Sequence, residues 1–152
     1  MSESNKEKGN IILKILIAVL LIVLYYIITA PWSEKLKIDA LKMQSRVKMT
    51  KIRSGELVFI ESNNRYSSSL RELVDWLKAD PIVTAKKDSI FNLKGAQLNL
   101  DSLIYSPVNG EVYKYQSSDS STVKKYYLEC PGGAGSIGSM VDDDKINKST
   151  WE

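Results

Sequence analysis

Residues Ile11 to Ala30 form a run of twenty residues broken only by Lys14, Thr29 and the amphipathic Tyr25 and Tyr26. As a helix the run is about 30 Å long, which matches the hydrocarbon core of a bilayer. A backbone in lipid must satisfy its own hydrogen bonds, so a single span is helical. A buried core helix is the alternative, but nothing later in the chain is apolar enough to wrap it. The anchor residues are Ile11, Lys14, Ile15, Leu20, Leu24, Tyr25, Tyr26, Pro31 and Trp32. Lys14 lies one turn from the start and can snorkel to the headgroups. Tyr25, Tyr26 and Trp32 cluster at the other end, where aromatic rings favour the interface. The run is long for a cleaved secretory signal, and its small-residue exit at Ala30 is followed by Pro31.

Pro31 is expected to kink or end the spanning helix, because it lacks a donor and clashes with the preceding turn. Ser33 then offers a cap for a new start. From Glu34 to about Ile60 the apolar residues recur at helical spacing, with Ser54-Gly55 as a weak point and Asn63-Asn64 as the end. Ser69 followed by Glu72 reads as a capping box, opening a helix of roughly ten residues that Asp80-Pro81 stops. Beyond it, Ile82-Val83-Thr84, Ser102 to Tyr105, Val112 to Tyr115 and Val123 to Leu128 read as strands. Pro107-Val108-Asn109-Gly110 marks a tight hairpin, and Gln116 to Ser121 a second, polar loop.

The predicted fold class is therefore α+β. A single-pass transmembrane helix continues after a proline kink into a long helix, followed by a short second helix and a small antiparallel sheet of three to four strands. The organisation is a polar head (1–10), the span (11–30), a basic juxtamembrane helix (31–63), a small α+β domain (64–131) and a Gly-rich, polar tail (132–152). The expected core is Leu57, Ile60, Leu70, Leu73, Val74, Leu77, Leu103, Tyr105, Tyr113, Tyr115, Tyr127 and Leu128.

The absence of histidine removes His bases, His metal ligands and every Ser-His or Cys-His nucleophile pair. The single cysteine, Cys130, rules out an intrachain disulfide and reads as a partly buried small residue. Gly132 to Gly135 lacks the Lys-Ser/Thr of a phosphate loop. Asp142, Asp143 and Asp144 are a weak Ca²⁺ candidate. They lack the spacing and the later Glu of an EF-hand, so a solvated tail is the preferred reading. No catalytic constellation is found, and an enzyme is not expected. Nor does any motif call for a cofactor, a small-molecule substrate or, at a net charge of +3, nucleic acid.

Between Ser33 and Arg53 seven basic residues face two acidic ones, Glu34 and Asp39. Lys35, Lys37, Lys42, Arg46 and Lys48 are candidate contacts for anionic lipid headgroups, at about 1 kcal/mol per basic residue near the surface. A solvated helix face with pairs such as Glu34 and Lys37 is the competing explanation.

The order of elements resembles the type IV pilins and the pseudopilins of type II secretion. Lys8-Gly9 directly precedes the apolar segment, as at a prepilin peptidase site, and Pro31 lies where many pilins carry a kinking proline. "NNRYSSSLRELVDWL", "SPVNGEVYKY" and "YYLECPGG" are similar to segments of pilin-like proteins. The resemblance implies cleavage between Gly9 and Asn10, and an exported domain on the bacterial inner (cytoplasmic) membrane. It implies a structural or assembly role in an envelope machine, with membrane lipid and other protein subunits, including further copies, as partners. The chain departs from the pattern at three positions. Lys14 stands where the family carries Glu, Asn10 where a bulky apolar residue is usual, and Ser106 where a second Cys is expected before Pro107. The alternative is an uncleaved single-pass accessory subunit whose domain binds a partner. Basic residues beyond the span favour a cytoplasmic domain by the positive-inside rule, whereas the resemblance favours an extracytoplasmic one, which is the expectation adopted.

Overall fold

The computed structural model describes residues 3–93, 97–119 and 123–152, with the side chains of 3–10, 30 and 31 outside the description. The chain divides into two compact units, Met1–Asp39 and Ala40–Glu152. Helix α1 (Glu3–Asn63) supplies the first unit and the opening of the second. In the first unit it is long and apolar enough to cross a membrane. Its most apolar window has a mean hydropathy of 3.0, and none of that window is buried.

The expectation that Pro31 ends the helix is corrected, since α1 is assigned as helix through positions 31 and 33. A proline removes one intrahelical bond, and the bonds on either side suffice to carry the helix on. Ser33 is therefore an interior residue and caps no new start. Ser54-Gly55 does not interrupt α1 either. A Cβ at Gly55 would meet Leu77 at 3.1 Å and Leu73 at 3.7 Å, so the glycine admits the neighbouring helix at close range. The end falls where expected, with Asn64 in the left-handed region (φ 54°) and its N–H donating to the Ile60 carbonyl at 2.8 Å.

The second unit forms around the inward stripe of α1: Ser45, Met49, Ile52, Glu56 and Phe59, all at 2% exposure or less. The spacing alternates four and three residues, which keeps one helix face toward the core. Helix α2 (Leu70–Ala79) buries Leu70, Leu73, Val74 and Leu77 against it. Each such burial is worth roughly 1.5–3 kcal/mol. The Ser69 hydroxyl accepts from the Glu72 N–H at 3.2 Å, as the capping box requires. The return bond differs, because the Glu72 carboxylate reaches the backbone N–H and hydroxyl of Ser68, each at 2.6 Å. The Arg65 guanidinium at 2.5 Å, assisted by these Ser68 bonds, holds the Glu72 carboxyl down at about 2.

Ile82-Val83-Thr84 lies in helix α3 (Pro81–Ala85), not in a strand. The Asp80 carboxylate accepts from the N–H groups of Ile82 and Val83 at 2.8 and 3.0 Å, and Pro81 sits at the first helical position. This cap overrides the β preference of the three residues. Helix α4 (Lys87–Phe91) follows. Ser102 to Tyr105 is also corrected. Leu100–Ile104 is a 3₁₀ turn, with the Asn99 side chain accepting from the Asp101 N–H. Tyr105 only bridges Val112 across the expected Asn109-Gly110 turn, where Gly110 has φ 75°.

Strands β1 (Lys114–Asp119), β2 (Lys124–Glu129) and β3 (Ser136–Gly138) form an antiparallel sheet in the order β1-β2-β3. The polar stretch from Gln116 to Asp119 is strand, not loop, and residues 120–122 lie outside the described residues. The segment 132–152 is no tail. Ile137 pairs with Leu128 in the sheet and with Ser149 in an isolated bridge, and Ala134 and Ile137 are fully buried. Of the expected core, Leu70, Leu73, Val74, Leu77, Leu103, Tyr113 and Leu128 are buried, and Ile60 and Tyr115 pack partly against them. Leu57 and Tyr105 are exposed, and Tyr127 is half-buried on the opposite face from Tyr126 and Leu128.

Candidate functional site

The apolar run presents its side chains outward along its length. Ile11, Ile15, Leu20, Leu24, Tyr25, Tyr26 and Trp32 are each more than half exposed, and Lys14 is exposed as well. Tyr25 and Tyr26 meet edge to face, with ring centroids 6.4 Å apart. The Thr29 hydroxyl folds back onto the Tyr25 carbonyl at 2.8 Å, so it presents no unpaired donor. The side chains of Pro31, Gly9 and Asn10 lie outside the described residues.

The candidate headgroup contacts divide. Lys35 and Lys37 are exposed and Lys42 is half-buried. Arg46 and Lys48 are engaged within the second unit. The Arg46 Nε donates to the Ala134 carbonyl at 2.9 Å, and its guanidinium lies 5.4 Å from the Trp151 ring centroid. The Lys48 ammonium donates to the carbonyls of Ser102 and Tyr105 at 2.7 and 3.1 Å, and partial burial lowers its pKa. These two cations hold the 100–105 and 130–151 segments onto α1.

The aspartate cluster is likewise accounted for. Asp142 accepts from Lys145 at 2.9 Å and from the Asp144 N–H at 3.2 Å, and Asp143 pairs with Lys125. Among the described residues no group of acidic or cysteine side chains is arranged to hold a metal ion. Two of the three carboxylates of the Ca²⁺ candidate thus answer lysines.

Two buried polar clusters were not foreseen. In the first, Glu56 is fully buried and accepts from both the backbone N–H (3.2 Å) and the hydroxyl of Ser67. The Ser67 hydroxyl also reaches the Tyr115 hydroxyl at 3.2 Å. Burial pushes the Glu56 carboxyl above its ordinary value, against the lowering effect of the Ser67 and Tyr115 hydrogen bonds. In the second, the Ser45 hydroxyl donates to the Cys130 thiol at 3.2 Å and meets the Tyr113 hydroxyl at 2.8 Å, while Ser106 lies 3.3 Å from the same sulfur. Burial raises the Tyr113 phenol to about 12. For Cys130 burial acts in the same direction, but hydrogen bonds from Ser106, Ser45 and the backbone at Ala134 and Gly132 together hold the thiol below its ordinary value. At 1% exposure Cys130 is deeper than expected. The first cluster joins α1 to β1 and the second joins α1 to residues beside the strands, Tyr113, Ser106 and Cys130, so these buried polar groups find partners.

The arrangement defines an α+β protein with an outward-facing apolar helix at its N-terminal side. Comparison with protein-family models, with curated proteins and with solved structures finds no match to this chain.

Proposed function

We propose that this chain is a membrane-anchored structural or assembly subunit of a bacterial envelope machine, of pilin-like or pseudopilin-like design. Its second unit stands on the extracytoplasmic side of the inner membrane and acts through contacts with other subunits. The observation that carries the reading is the double use of α1. One helix holds an apolar run with no protein cover and then gives Ser45, Met49, Ile52 and Phe59 to a sheet-containing core. The proximity of Ser106 and Cys130 adds support, because the resemblance expects a cysteine at position 106. An uncleaved accessory subunit is the second reading. Lys14 favours it, since a cation at that position cannot attract the new N-terminal amine of a neighbour.

N-terminal sequencing of the mature protein separates the two. A mature end at Asn10 supports processing, and a retained Met1 removes the filament reading. Orientation is tested with Val141→Cys, at a site 90% exposed, in a protein whose own thiol is buried. A membrane-impermeant maleimide should label spheroplasts carrying the variant. Labelling only after lysis would reverse the orientation.

A further inference from the structure

On the face of α1 opposite its buried stripe, Met43, Val47, Thr50, Ser54 and Leu57 follow one another at alternating intervals of four and three residues. This is the spacing of a helix-docking seam. Met43, Val47 and Leu57 are 61%, 50% and 40% exposed, which is unusual for large apolar side chains in a row. The hydroxyls of Thr50 and Ser54 turn back to the carbonyls of Arg46 and Thr50, so the middle of the seam presents small, satisfied groups. Beside it lies a groove of about 440 Å³ whose floor is Met43, Val47 and Thr50. Phe91, Asn92 and Trp151 line it as well. Arg46 and Lys51 line it too, and among the described residues no carboxylate contributes. Among the described residues neither cation forms an ion pair.

We infer that this groove receives an amphipathic helix of a different protein, with an apolar stripe and acidic flanks. The inference rests on the reading of the chain as an interaction subunit and names the chemistry of its partner. A second copy of α1 fits poorly, because a homotypic pairing would set Arg46 and Lys51, two of the positions that flank the seam, against like charges. A flat lipid surface fits poorly as well, since the site is a groove walled by Phe91 and Trp151. The seam from Met43 to Leu57 is about 21 Å long, so a partner of four helical turns would follow it, seated in the groove along Met43 to Lys51.

The test uses the full chain in nanodiscs of zwitterionic lipid, with two fluorescein-labelled helical peptides of about four turns. They share one apolar stripe and carry Glu or Lys at the flanks. Anisotropy should show the Glu peptide binding at least about tenfold tighter, with an affinity that falls as salt rises. Val47→Asp should abolish that binding, and Lys51→Glu should shift the preference toward the Lys peptide. Equal affinities, or no binding of either peptide, would overturn the inference. So would a Val47→Cys protein that oxidises to a homodimer, which makes a second copy the occupant. Binding to phosphatidylglycerol vesicles that Val47→Asp abolishes would assign the face to lipid instead. None of these readouts depends on cleavage at Gly9 or on orientation, so the failure of either idea is distinguishable from failure of the other.

Discussion

Replacing Ser106 by cysteine should close a disulfide with Cys130. The Ser106 hydroxyl already lies 3.3 Å from the Cys130 sulfur, and both residues are at 1% exposure. A disulfide needs its sulfurs about 2.05 Å apart, so a shift of roughly 1 Å suffices. The bridge would close a loop over a separation of 24 residues. Chain-entropy reasoning gives about 3.5 kcal/mol for a loop of that length at 25 °C. The substitution also removes the Ser106 hydroxyl, which meets Cys130 and accepts from the Val108 N–H at 3.2 Å. Losing those bonds costs about 1–2 kcal/mol. The net gain is about 2 kcal/mol, or roughly 10 °C in the melting temperature of a unit of this size. Thermal unfolding by circular dichroism, oxidised variant against wild type, reads the shift. Thiol counting after denaturation reads the bond. Two free thiols in the denatured, air-oxidised variant would refute the placement of 106 beside 130. An oxidised form less stable than the reduced one would refute the geometry.

Two further outcomes follow, one from the first buried cluster and one from Tyr126, whose ring centroid lies 6.3 Å from that of Tyr115. The Glu56 carboxyl sits above its ordinary value of 4.5 in the folded protein because of burial. Its contribution to stability is therefore fully present below that value and is lost as pH rises through the folded pKa. Denaturant unfolding across this range should show stability declining with pH, and Glu56→Gln should flatten that decline. An unchanged slope would show that Glu56 does not titrate differently on folding. Tyr126 is fully buried, and its hydroxyl has no hydrogen-bond partner among the described residues. Tyr126→Phe should be neutral or stabilise by about 1 kcal/mol in the same assay, because it removes an unsatisfied polar group while keeping the ring contact with Tyr66 at 4.7 Å. A loss of more than about 1 kcal/mol would mean that the hydroxyl is bonded.

Helices α1 and α2 are legible because their signals are local, whereas α3, α4 and the 3₁₀ turn over Leu100–Ile104 are not. Ser69, Glu72 and Asp80-Pro81 delimit α2 as read from the sequence, and the apolar run announces itself. The errors have physical causes. Leu57 was expected in the core because it is apolar, but the four-three spacing from Ser45 to Phe59 turns Glu56 inward and leaves Leu57 outside. Tyr127 and Leu128 were both expected inside, although adjacent strand residues point to opposite faces. The inward set is Tyr126 and Leu128, with Cys130 just beyond the strand also buried. Strand β3 is illegible in the sequence because three residues with one apolar side chain carry almost no periodic signal. Among the site residues, Arg46 and Lys48 looked like solvated cations. Only tertiary structure could reveal the carbonyls of Ala134, Ser102 and Tyr105 that hold them. The Ser106 position was flagged by resemblance, and the structure places it beside Cys130.

Burial of Cys130 also turns the lone thiol into a clock. An alkylating reagent can reach the sulfur only when the sheet parts from α1, so under native conditions the modification rate reports how often the second unit opens. With reagent in excess the rate measures opening itself, and with reagent scarce it measures the fraction of time spent open. The same seclusion keeps the thiol from forming a disulfide with a second protein while the unit is closed.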